Sequence, residues 1–377
     1  MSTPLSQPSS RRRMRVIIAG GGTGGHIFPA LAIADELKHR LHAEILFVGA
    51  ENRMEMTRVP EAGYTIVGLP VAGFDRKNLL KNFKVLVKLY KSLRMARKVV
   101  ADFHPDMAVG VGGYASGPLL KVAQKKGIVT LIQEQNSYAG VTNKMLAPKA
   151  GKVCVAYDGM DRFFPVDRIV KTGNPIRRSL LEYRGTVKDA RESFGLSPSR
   201  STLLVVGGSL GARTINESLE KGLNRLAEKG IQVIWQTGKN FGDRGVVAAK
   251  GMKGIVVTPF ISDMGAAYKA ADLVVSRAGA GSISELQCLG KPCVLVPSPN
   301  VAEDHQTHNA RALSDKGAAI LVTDAEAREK LIDTVLALIT DEKKLKEMSQ
   351  AVSEMAMHDS AAKIVDEAVK LVANVGN

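Results

Sequence analysis

The chain has 377 residues and a formal net charge of +15, from 52 Lys and Arg residues against 37 Asp and Glu residues. This length is sufficient for two or three domains, and the charge indicates a polyanionic partner such as a phosphorylated substrate, an anionic membrane or a nucleic acid. Three cysteines argue against a disulfide scaffold, and no apolar run reaches the roughly 18 residues of a membrane-spanning helix.

The first residues predict a short tail outside the fold. Residues 1–13 are rich in Ser and Pro and end in three arginines, which is typical of a disordered segment. The apolar run Val16-Ile17-Ile18 is too short for the core of a signal peptide. We therefore expect a cytoplasmic protein whose first domain begins near Met14.

A glycine-rich turn follows the first predicted strand. Residues 15–19 form a short apolar strand, residues 20–25 carry the spacing G-x-G-x-x-G, and a helix is predicted from about Pro29. Glycines allow a ligand to approach the backbone, and a helix N-terminus favours an anion, so the turn predicts a site for phosphate or diphosphate. His26 lies at the mouth of this helix and could accept a proton there. The alternatives are a glycine turn without a ligand and an ordinary histidine at a helix start.

A long basic helix is predicted over residues 76–100. Its apolar residues recur at helical spacing, which is typical of a face packed on the core, and a basic stripe lies beside them. An all-positive face could also hold the protein on an anionic membrane surface. The apolar stripe is Leu79, Phe83, Leu86, Tyr90 and Leu93, and the basic stripe is Lys77, Lys81, Lys84, Lys88 and Lys91.

The rest of the chain repeats the alternation of strand, glycine turn and helix. A second glycine turn at residues 112–117 follows another strand, and polar residues 133–136 end the next one. Residues 173–177 form a rigid turn suited to an interdomain joint, after which a new strand and glycine turn begin near residue 202. The remainder beyond about residue 310 is predicted to be helical. This pattern predicts an α/β protein with two doubly wound, Rossmann-like domains that face a cleft, residues 14–172 and residues 173–350.

Four glycine-marked helix starts predict a cleft that binds several phosphates. Glu285, expected at the start of a helix, could accept hydrogen bonds from a ribose, and Arg177 at the joint could contact a diphosphate. The alternatives are a glutamate favoured by the helix dipole and an exposed arginine. The sequence has no Asp-x-Asp, and Cys288, Cys293 and the nearby histidines have poor spacing for zinc, so no metal and no cofactor are expected.

The motifs of both halves together resemble the MurG family of peptidoglycan glycosyltransferases. The resemblance covers residues 14–370 in order. The motifs that carry it are GGTGGHIFP at 21–29, GGYASGP at 112–118, EQN at 134–136, TNK at 142–144, GNPIR at 173–177, GGSLGA at 207–212 and DHQ at 304–306. It implies the GT-B fold, with residues 351–377 as a C-terminal helix that returns to the first domain. It also implies transfer of N-acetylglucosamine from UDP-N-acetylglucosamine to lipid I, without a metal, at the cytoplasmic face of the plasma membrane.

The resemblance also implies roles for individual residues. Ile261 would contact uracil through its backbone, Glu285 the ribose, and Arg177 and Ser209 the diphosphate. Gln306 and Asn136 would hold the sugar. The remaining substrate-binding residues are Ala280, Gly281, Ser282, Ile283 and Ser284 near the diphosphate and Thr23, Gly24 and Gly25 from the opposite domain.

The expected reaction is a single inverting displacement at the anomeric carbon of the sugar. His26 is the predicted catalytic base because an imidazole titrates near neutral pH, and Glu134 is the second candidate. Three other functions stay open at this point. They are transfer to another lipid such as a diacylglycerol, an NAD-dependent oxidoreductase using the first glycine turn, and a basic membrane- or nucleic-acid-binding module. The scarcity of aromatic residues does not favour nucleic acid.

Overall fold

The computed structural model describes residues 12–73, 82–208, 210–301 and 304–374, without the side chains of residues 82–84 and 179. The strands of the first sheet are β1 (Arg15–Ala19), β2 (Glu44–Ala50), β3 (Thr65–Leu69), β4 (Met107–Gly110), β5 (Val129–Glu134), β6 (Lys152–Val155) and β7 (Ile169–Lys171). The strands of the second sheet are β8 (Thr202–Val206), β9 (Gln232–Gln236), β10 (Ile255–Thr258), β11 (Leu273–Ser276), β12 (Cys293–Leu295) and β13 (Ile320–Leu321).

The helices connect successive strands and extend the chain beyond the second sheet. They are α1 (Gly24–Leu41), α2 (Glu55–Glu61), α3 (Asn82–Phe103), α4 (Ser116–Lys125), α5 (Val141–Leu146), α6 (Arg178–Leu181), α7 (Val187–Ser193), α8 (Arg213–Glu228), α9 (Gly242–Ala248), α10 (Met264–Ala270), α11 (Ala280–Cys288), α12 (His305–Ser314), α13 (Ala327–Ile339), α14 (Glu342–Glu354) and α15 (Ser360–Ala373).

Both sheets are parallel and share one topology. The strand order is β3-β2-β1-β4-β5-β6-β7 in the first and β10-β9-β8-β11-β12-β13 in the second. The direction of winding reverses between β1 and β4 and between β8 and β11, and ligands of such sheets bind at the carboxyl ends of those strands. The predicted pair of doubly wound domains is confirmed, while their boundaries stay a prediction.

The strands are apolar on both faces because helices cover both sides of each sheet. In β1, Ile18 packs into one hydrophobic cluster and Ile17 into the cluster on the opposite face, and both are fully buried. Such continuous apolar runs are typical of parallel strands. In the second sheet Trp235 is fully buried, and its indole nitrogen donates to Asn216 Oδ1 on α8 at 2.9 Å.

The first helix begins earlier than predicted. The carbonyl of Thr23 accepts hydrogen bonds from the backbone N–H groups of His26 and Ile27, so α1 starts within the glycine turn at Gly24. Pro29 is therefore the sixth residue of the helix rather than a first-turn residue, and it has no N–H to donate to the preceding turn. The shift places His26 in the first turn of α1.

Only part of the apolar stripe predicted on the basic helix faces the core, where Leu93 packs against a hydrophobic cluster of the first sheet. Leu79, Lys77 and Lys81 and the side chains of Phe83 and Lys84 lie outside the described residues. Among the described side chains of α3, Val85, Ser92, Ala96 and Val100 are buried, whereas Leu86 is 52% and Tyr90 66% exposed. Residues four apart lie on one side of a helix, so Leu86 and Tyr90 form an outward apolar face. None of the helices in the described part of the chain is long and apolar enough to cross a membrane.

The last third of the chain contains a short strand that the sequence analysis missed. β13 pairs with β12, although only helix was predicted there. At the chain end, α15 packs on α1, and Ile364 and Val365 are buried in the hydrophobic cluster of the first sheet. Arg40 on α1 donates to the Asp366 carboxylate on α15 at 2.7 Å. The end of the chain thus contributes to the first half of the molecule.

Shortening a buried side chain of α15 tests this packing. We expect Ile364→Ala to lower the free energy of unfolding by about 2–5 kcal/mol, because Ile364 is fully buried against the first sheet. Val369 on the same helix is 39% exposed, and we expect Val369→Ala to cost about 1 kcal/mol or less. Urea unfolding monitored by circular dichroism measures both, and equal losses would contradict the packing.

Candidate active site

The imidazole of His26 lies between the two glycine turns of the first domain. Its Nδ1 is 3.1 Å from the carbonyl oxygen of Gly21 and 3.1 Å from Thr23 Oγ1. A Cβ on Gly112, in the second glycine turn, would lie 2.9 Å from His26 Nε2, so only glycine leaves room for the ring. Because the carbonyl can only accept, the Gly21 contact places a proton on Nδ1 and leaves Nε2 as an acceptor.

The surroundings of His26 favour its neutral form. Burial lowers the pKa of His26 below its ordinary value of 6.5, and the charge of Glu134 opposes this shift most strongly. The Gly21 hydrogen bond and the charge of Glu55 also oppose it, whereas His305 adds to it. Near pH 7 the imidazole is therefore uncharged and able to take a proton.

Both carboxylate oxygens of Glu134, the second candidate base, accept hydrogen bonds from the loop that follows it. Its Oε2 accepts hydrogen bonds from the Gly140 N–H at 3.0 Å and from Asn143 Nδ2 at 2.9 Å, and its Oε1 accepts from the Asn136 N–H at 3.1 Å. The side chain is 2% exposed. These contacts make Glu134 an organiser of the loop after β5, which places Asn136 at the cleft.

Polar side chains connect this loop with the second domain. Asn309 on α12 is fully buried, and its Oδ1 accepts hydrogen bonds from the N–H of Ser137 at 3.2 Å and from its hydroxyl at 2.9 Å. Asn309 Nδ2 lies 3.5 Å from Asn136 Oδ1. Asn136, predicted to hold the sugar, therefore lies where α12 of the second domain meets the first.

Glu285 and Arg177, both predicted to bind the donor, contact each other. Arg177 Nη2 lies 3.2 Å from Glu285 Oε1, and the hydroxyl of Tyr268 donates to Glu285 Oε2 at 3.0 Å. Burial raises the pKa of Glu285, while Arg177 and Tyr268 oppose that rise. Glu285 is the sixth residue of α11, so the expectation that it begins a helix is wrong, since the helix already starts at Ala280.

Arg177 also spans the cleft. Its guanidinium carbon lies 4.7 Å from the ring centroid of Phe28, which is on α1 two residues after His26. Its Nε is buried without a hydrogen-bond partner among the described residues. Arg177 thus contacts both halves and keeps an N–H group available for an anion.

The remaining predicted residues lie at three places. Ser284 on α11 is buried, and its hydroxyl accepts from Asn174 Nδ2 at 3.1 Å. Gln306, in the first turn of α12, accepts from the Ser298 N–H at 2.9 Å. Ile261 follows β10 and packs in the core of the second sheet, so its backbone is the part available to a ligand. Ser209 lies outside the described residues. The first turn of α11 carries Ala280, Gly281, Ser282 and Ile283, and the first turn of α1 carries Gly24 and Gly25.

The sequence analysis did not identify several residues from elsewhere in the chain whose side chains contribute to this site. Asn309, Tyr268 and Glu55 carry no motif, since each is a single polar residue whose partner is distant in sequence. Asn174 lies within the turn at residues 173–177, which the sequence predicts only as a connection between the domains. Among the residues that the structure describes, no group of three or more His, Cys, Asp or Glu side chains is arranged to hold a metal ion.

Comparison with known proteins agrees with this geometry. Residues 16–155 match the glycosyltransferase family 28 N-terminal domain, and residues 202–364 match the family 28 C-terminal domain. The chain is 60% identical over 362 residues to a protein of Phocaeicola vulgatus and 57% identical over 364 residues to one of Parabacteroides distasonis. These matches cover 95% and 96% of this chain and 96% and 99% of the relatives. Both relatives are named UDP-N-acetylglucosamine–N-acetylmuramyl-(pentapeptide) pyrophosphoryl-undecaprenol N-acetylglucosamine transferase.

Solved structures share the arrangement of the two sheets. The crystal structure of Acinetobacter baumannii MurG superposes with a TM-score of 0.74 at 29% identity, covering 94% of this chain and 98% of the other. A UDP-GlcNAc 2-epimerase from Neisseria meningitidis, solved with UDP-GlcNAc bound, has a TM-score of 0.67 at 15% identity and covers 95% of this chain and 100% of the other. The second likeness concerns the fold alone.

Removing one hydroxyl tests the network around Glu285. Tyr268→Phe keeps the buried ring but leaves Glu285 Oε2 without its donor, so we expect the free energy of unfolding to fall by about 1–3 kcal/mol. Tyr183, which is partly exposed, provides the matched Tyr183→Phe control, with an expected change of about 0.5 kcal/mol or less. Urea unfolding measures the free energy of unfolding of both variants. An unchanged value for Tyr268→Phe would argue against the hydrogen bond to Glu285.

Proposed function

We propose which residues perform the reaction of this chain, which belongs to glycosyltransferase family 28. Within that family it groups with the transferases that glycosylate undecaprenyl-linked N-acetylmuramyl-pentapeptide. It transfers N-acetylglucosamine from UDP-N-acetylglucosamine to lipid I, which gives lipid II in peptidoglycan synthesis. The observation that carries this conclusion is the 60% identity to a relative of that name over 95% of the chain. The GT-B fold, with two Rossmann-like domains, agrees with it.

The donor is assigned to the second domain. Glu285 accepts hydrogen bonds from the ribose hydroxyls, which replace its contact with Arg177. Arg177 and the first turn of α11 then bind the diphosphate, because a helix N-terminus and a guanidinium both favour anions. The buried, unpartnered Nε of Arg177 supports this role. The Ile261 backbone contacts uracil, and Ser209 stays a predicted contact of the diphosphate.

The sugar and the acceptor lie between the two domains. Asn136 and Gln306 hold the N-acetylglucosamine, since the Asn136–Asn309 contact brings their loops together. Thr23, Gly24 and Gly25 close the site from the first domain. The acceptor diphosphate lies at the first two glycine turns, near the N-termini of α1 and α4.

The proposed chemistry is a single inverting displacement with His26 as the base. The acceptor 4-hydroxyl oxygen attacks the anomeric carbon while its proton passes to His26 Nε2. The bond from that carbon to the diphosphate breaks, and UDP leaves with the electron pair. The Arg177 guanidinium and the α11 N-terminus stabilise the charge that develops on the leaving group. His26 is favoured over Glu134, whose oxygens already accept hydrogen bonds from their own loop.

The lipid acceptor requires a surface near the membrane, and α3 provides one. Its outward face combines exposed Leu86 and Tyr90 with exposed basic residues. Those basic residues are Lys88, Lys91, Arg94, Arg97 and Lys98. Apolar side chains inserted at the interface and cations near anionic headgroups both favour binding to a membrane surface.

The side of the membrane is inferred from the cysteines. Cys154, Cys288 and Cys293 are all described and all carry free thiols. Cysteines remain reduced in the cytoplasm and tend to form disulfides outside it. This supports the cytoplasmic face of the plasma membrane as the place of action.

Replacement of His26 tests the reaction. We expect His26→Asn to lower kcat by about a hundredfold or more, because a general base contributes about 10²–10⁴-fold. The wild-type kcat/KM should fall as the pH drops through the lowered pKa of His26, below 6.5, where the ring becomes protonated. Turnover of UDP-N-acetylglucosamine is measured with lipid I and with a diacylglycerol as acceptors. A loss below tenfold in a folded variant would reject His26 as the base, and preference for the diacylglycerol would reject the acceptor.

Neutralising the basic face of α3 tests the membrane surface. Two lysines near an anionic membrane contribute about 1 kcal/mol each, so we expect Lys88→Gln/Lys91→Gln to weaken binding about thirtyfold. Co-sedimentation with vesicles containing phosphatidylglycerol measures the affinity. Lys221→Gln/Lys250→Gln, which removes two exposed lysines of the second domain, is the matched control. If both double variants lowered the affinity for vesicles equally, α3 would not be the membrane-binding surface.

A further inference from the structure

Glu55 is a buried carboxylate beneath the first glycine turn. It lies at the start of α2 and is 1% exposed. Its Oε2 accepts a hydrogen bond from the Gly22 N–H at 2.9 Å, and its Oε1 accepts one from the Ala50 N–H at 2.9 Å. A carboxylate holds backbone N–H groups more strongly than a neutral acceptor does, so both oxygens fix the backbone around them.

The Gly22 N–H belongs to the same peptide unit as the Gly21 carbonyl. In a planar trans peptide the N–H and the C=O point in opposite directions. Because Glu55 holds the N–H on one side, the carbonyl is directed to the other side, where it lies 3.1 Å from His26 Nδ1. One peptide unit thus joins the carboxylate to the imidazole.

This peptide unit lies between two glycines and packs against Gly113 of the second glycine turn. Gly21 has φ +152° and Gly22 has φ +88°, which are conformations that favour glycine. A Cβ on Gly21 would collide with the Glu55 carboxylate. Glycine also permits the peptide plane to turn over, and the turned plane would present an N–H to His26 instead of a carbonyl. His26 Nδ1 would then have to accept, and the proton of the neutral ring would move to Nε2.

We propose that Glu55 is a positioning residue that selects the tautomer of His26 through the Gly21–Gly22 peptide. Glu55 holds the carbonyl toward Nδ1, Nδ1 carries the proton, and Nε2 keeps its lone pair. The consequence for turnover rests on the proposed role of His26 as the base, whereas the selection of the tautomer does not. The other groups that face His26 are Glu134 from β5 and His305 from α12, together with Thr23 Oγ1 near Nδ1.

Nitrogen NMR of the full-length protein labelled with ¹⁵N-histidine tests the tautomer directly. At a pH above the His26 pKa, we expect the wild-type ring to carry its proton on Nδ1, with the signal assigned by its loss in His26→Asn. In Glu55→Gln the amide can accept only one of the two N–H groups, so we expect signal from the Nε2-protonated form. A wild-type ring protonated on Nε2, or an unchanged tautomer in Glu55→Gln, would overturn the proposal.

Kinetics separate positioning from a general loss of folding. We expect Glu55→Gln to lower kcat by about tenfold to a hundredfold, within the contribution of a general base, while KM for UDP-N-acetylglucosamine stays within about twofold. The acidic limb of the pH profile should move to lower pH, because both the Glu55 charge and the Gly21 hydrogen bond favour the protonated ring. A purely structural loss would lower kcat without moving this limb, and that result would also count against the proposal.

The matched control is Glu61→Gln, which alters an exposed glutamate of the same helix that pairs with Arg58. We expect it to leave the tautomer, kcat and the pH profile unchanged. If Glu55→Gln does not fold, the nitrogen NMR spectrum of the wild-type protein still shows which nitrogen of His26 carries the proton, and a proton on Nε2 would overturn the proposal. If the spectrum agrees but His26→Asn retains full turnover, the role of His26 as the base fails while the selection of its tautomer stands.

Discussion

The two sheets are joined through the side-chain amide of Asn174, and the geometry of the cleft depends on that junction. Asn174 Oδ1 accepts from Gln133 Nε2 at 2.9 Å, and Asn174 Nδ2 donates to the Gln135 carbonyl at 3.0 Å and to Ser284 Oγ at 3.1 Å. Gln133 lies in β5 of the first domain and Gln135 directly follows that strand, whereas Ser284 is on α11 of the second. Because all these groups are buried, a different arrangement of the domains would leave amides unpaired at about 1–3 kcal/mol each. The network therefore specifies where α11, and with it Glu285, faces the first domain.

Glu285 is paired within the protein itself. Its side chain is only 12% exposed, and a carboxylate with so little access to water is costly unless it is paired. Arg177 and Tyr268 supply that pairing, so the group proposed to bind ribose is not left unsatisfied. On the proposed binding mode, the donor offers hydroxyls to Glu285 and phosphates to Arg177, so two new interactions would replace the ion pair.

Much of the fold follows from local sequence, whereas much of the site does not. Apolar runs such as residues 202–206 predict buried parallel strands, and glycine turns after them predict the switch points of the sheets. The start of α1 was misplaced because Pro29 is tolerated deeper in the helix than its usual position. The sequence leaves open which face of α3 is buried, because Val85 and Leu86 are both apolar and periodicity alone does not tell which one packs on the sheet. Glu55 and Asn309 could not be found at all, since their roles arise from contacts with backbone and side chains distant in sequence.

The fold does not by itself determine the reaction, because a similar pair of sheets also occurs in an epimerase of low sequence identity. In this chain, the first domain connects the proposed membrane face to His26, the proposed base. Helix α3 packs along α4, and α4 begins at Ser116 beside the second glycine turn. The hydroxyl of Ser116 donates to the Gly112 carbonyl at 2.9 Å, and Gly112 in turn adjoins the ring of His26. A ten-residue helix is about 15 Å long, so one lipid molecule can span from the proposed membrane face of α3 to the proposed diphosphate site at the start of α4. On this proposal the first domain holds the hydrocarbon, the diphosphate and the reacting hydroxyl of the acceptor in sequence, and glycine at position 112 leaves space for His26, the proposed base.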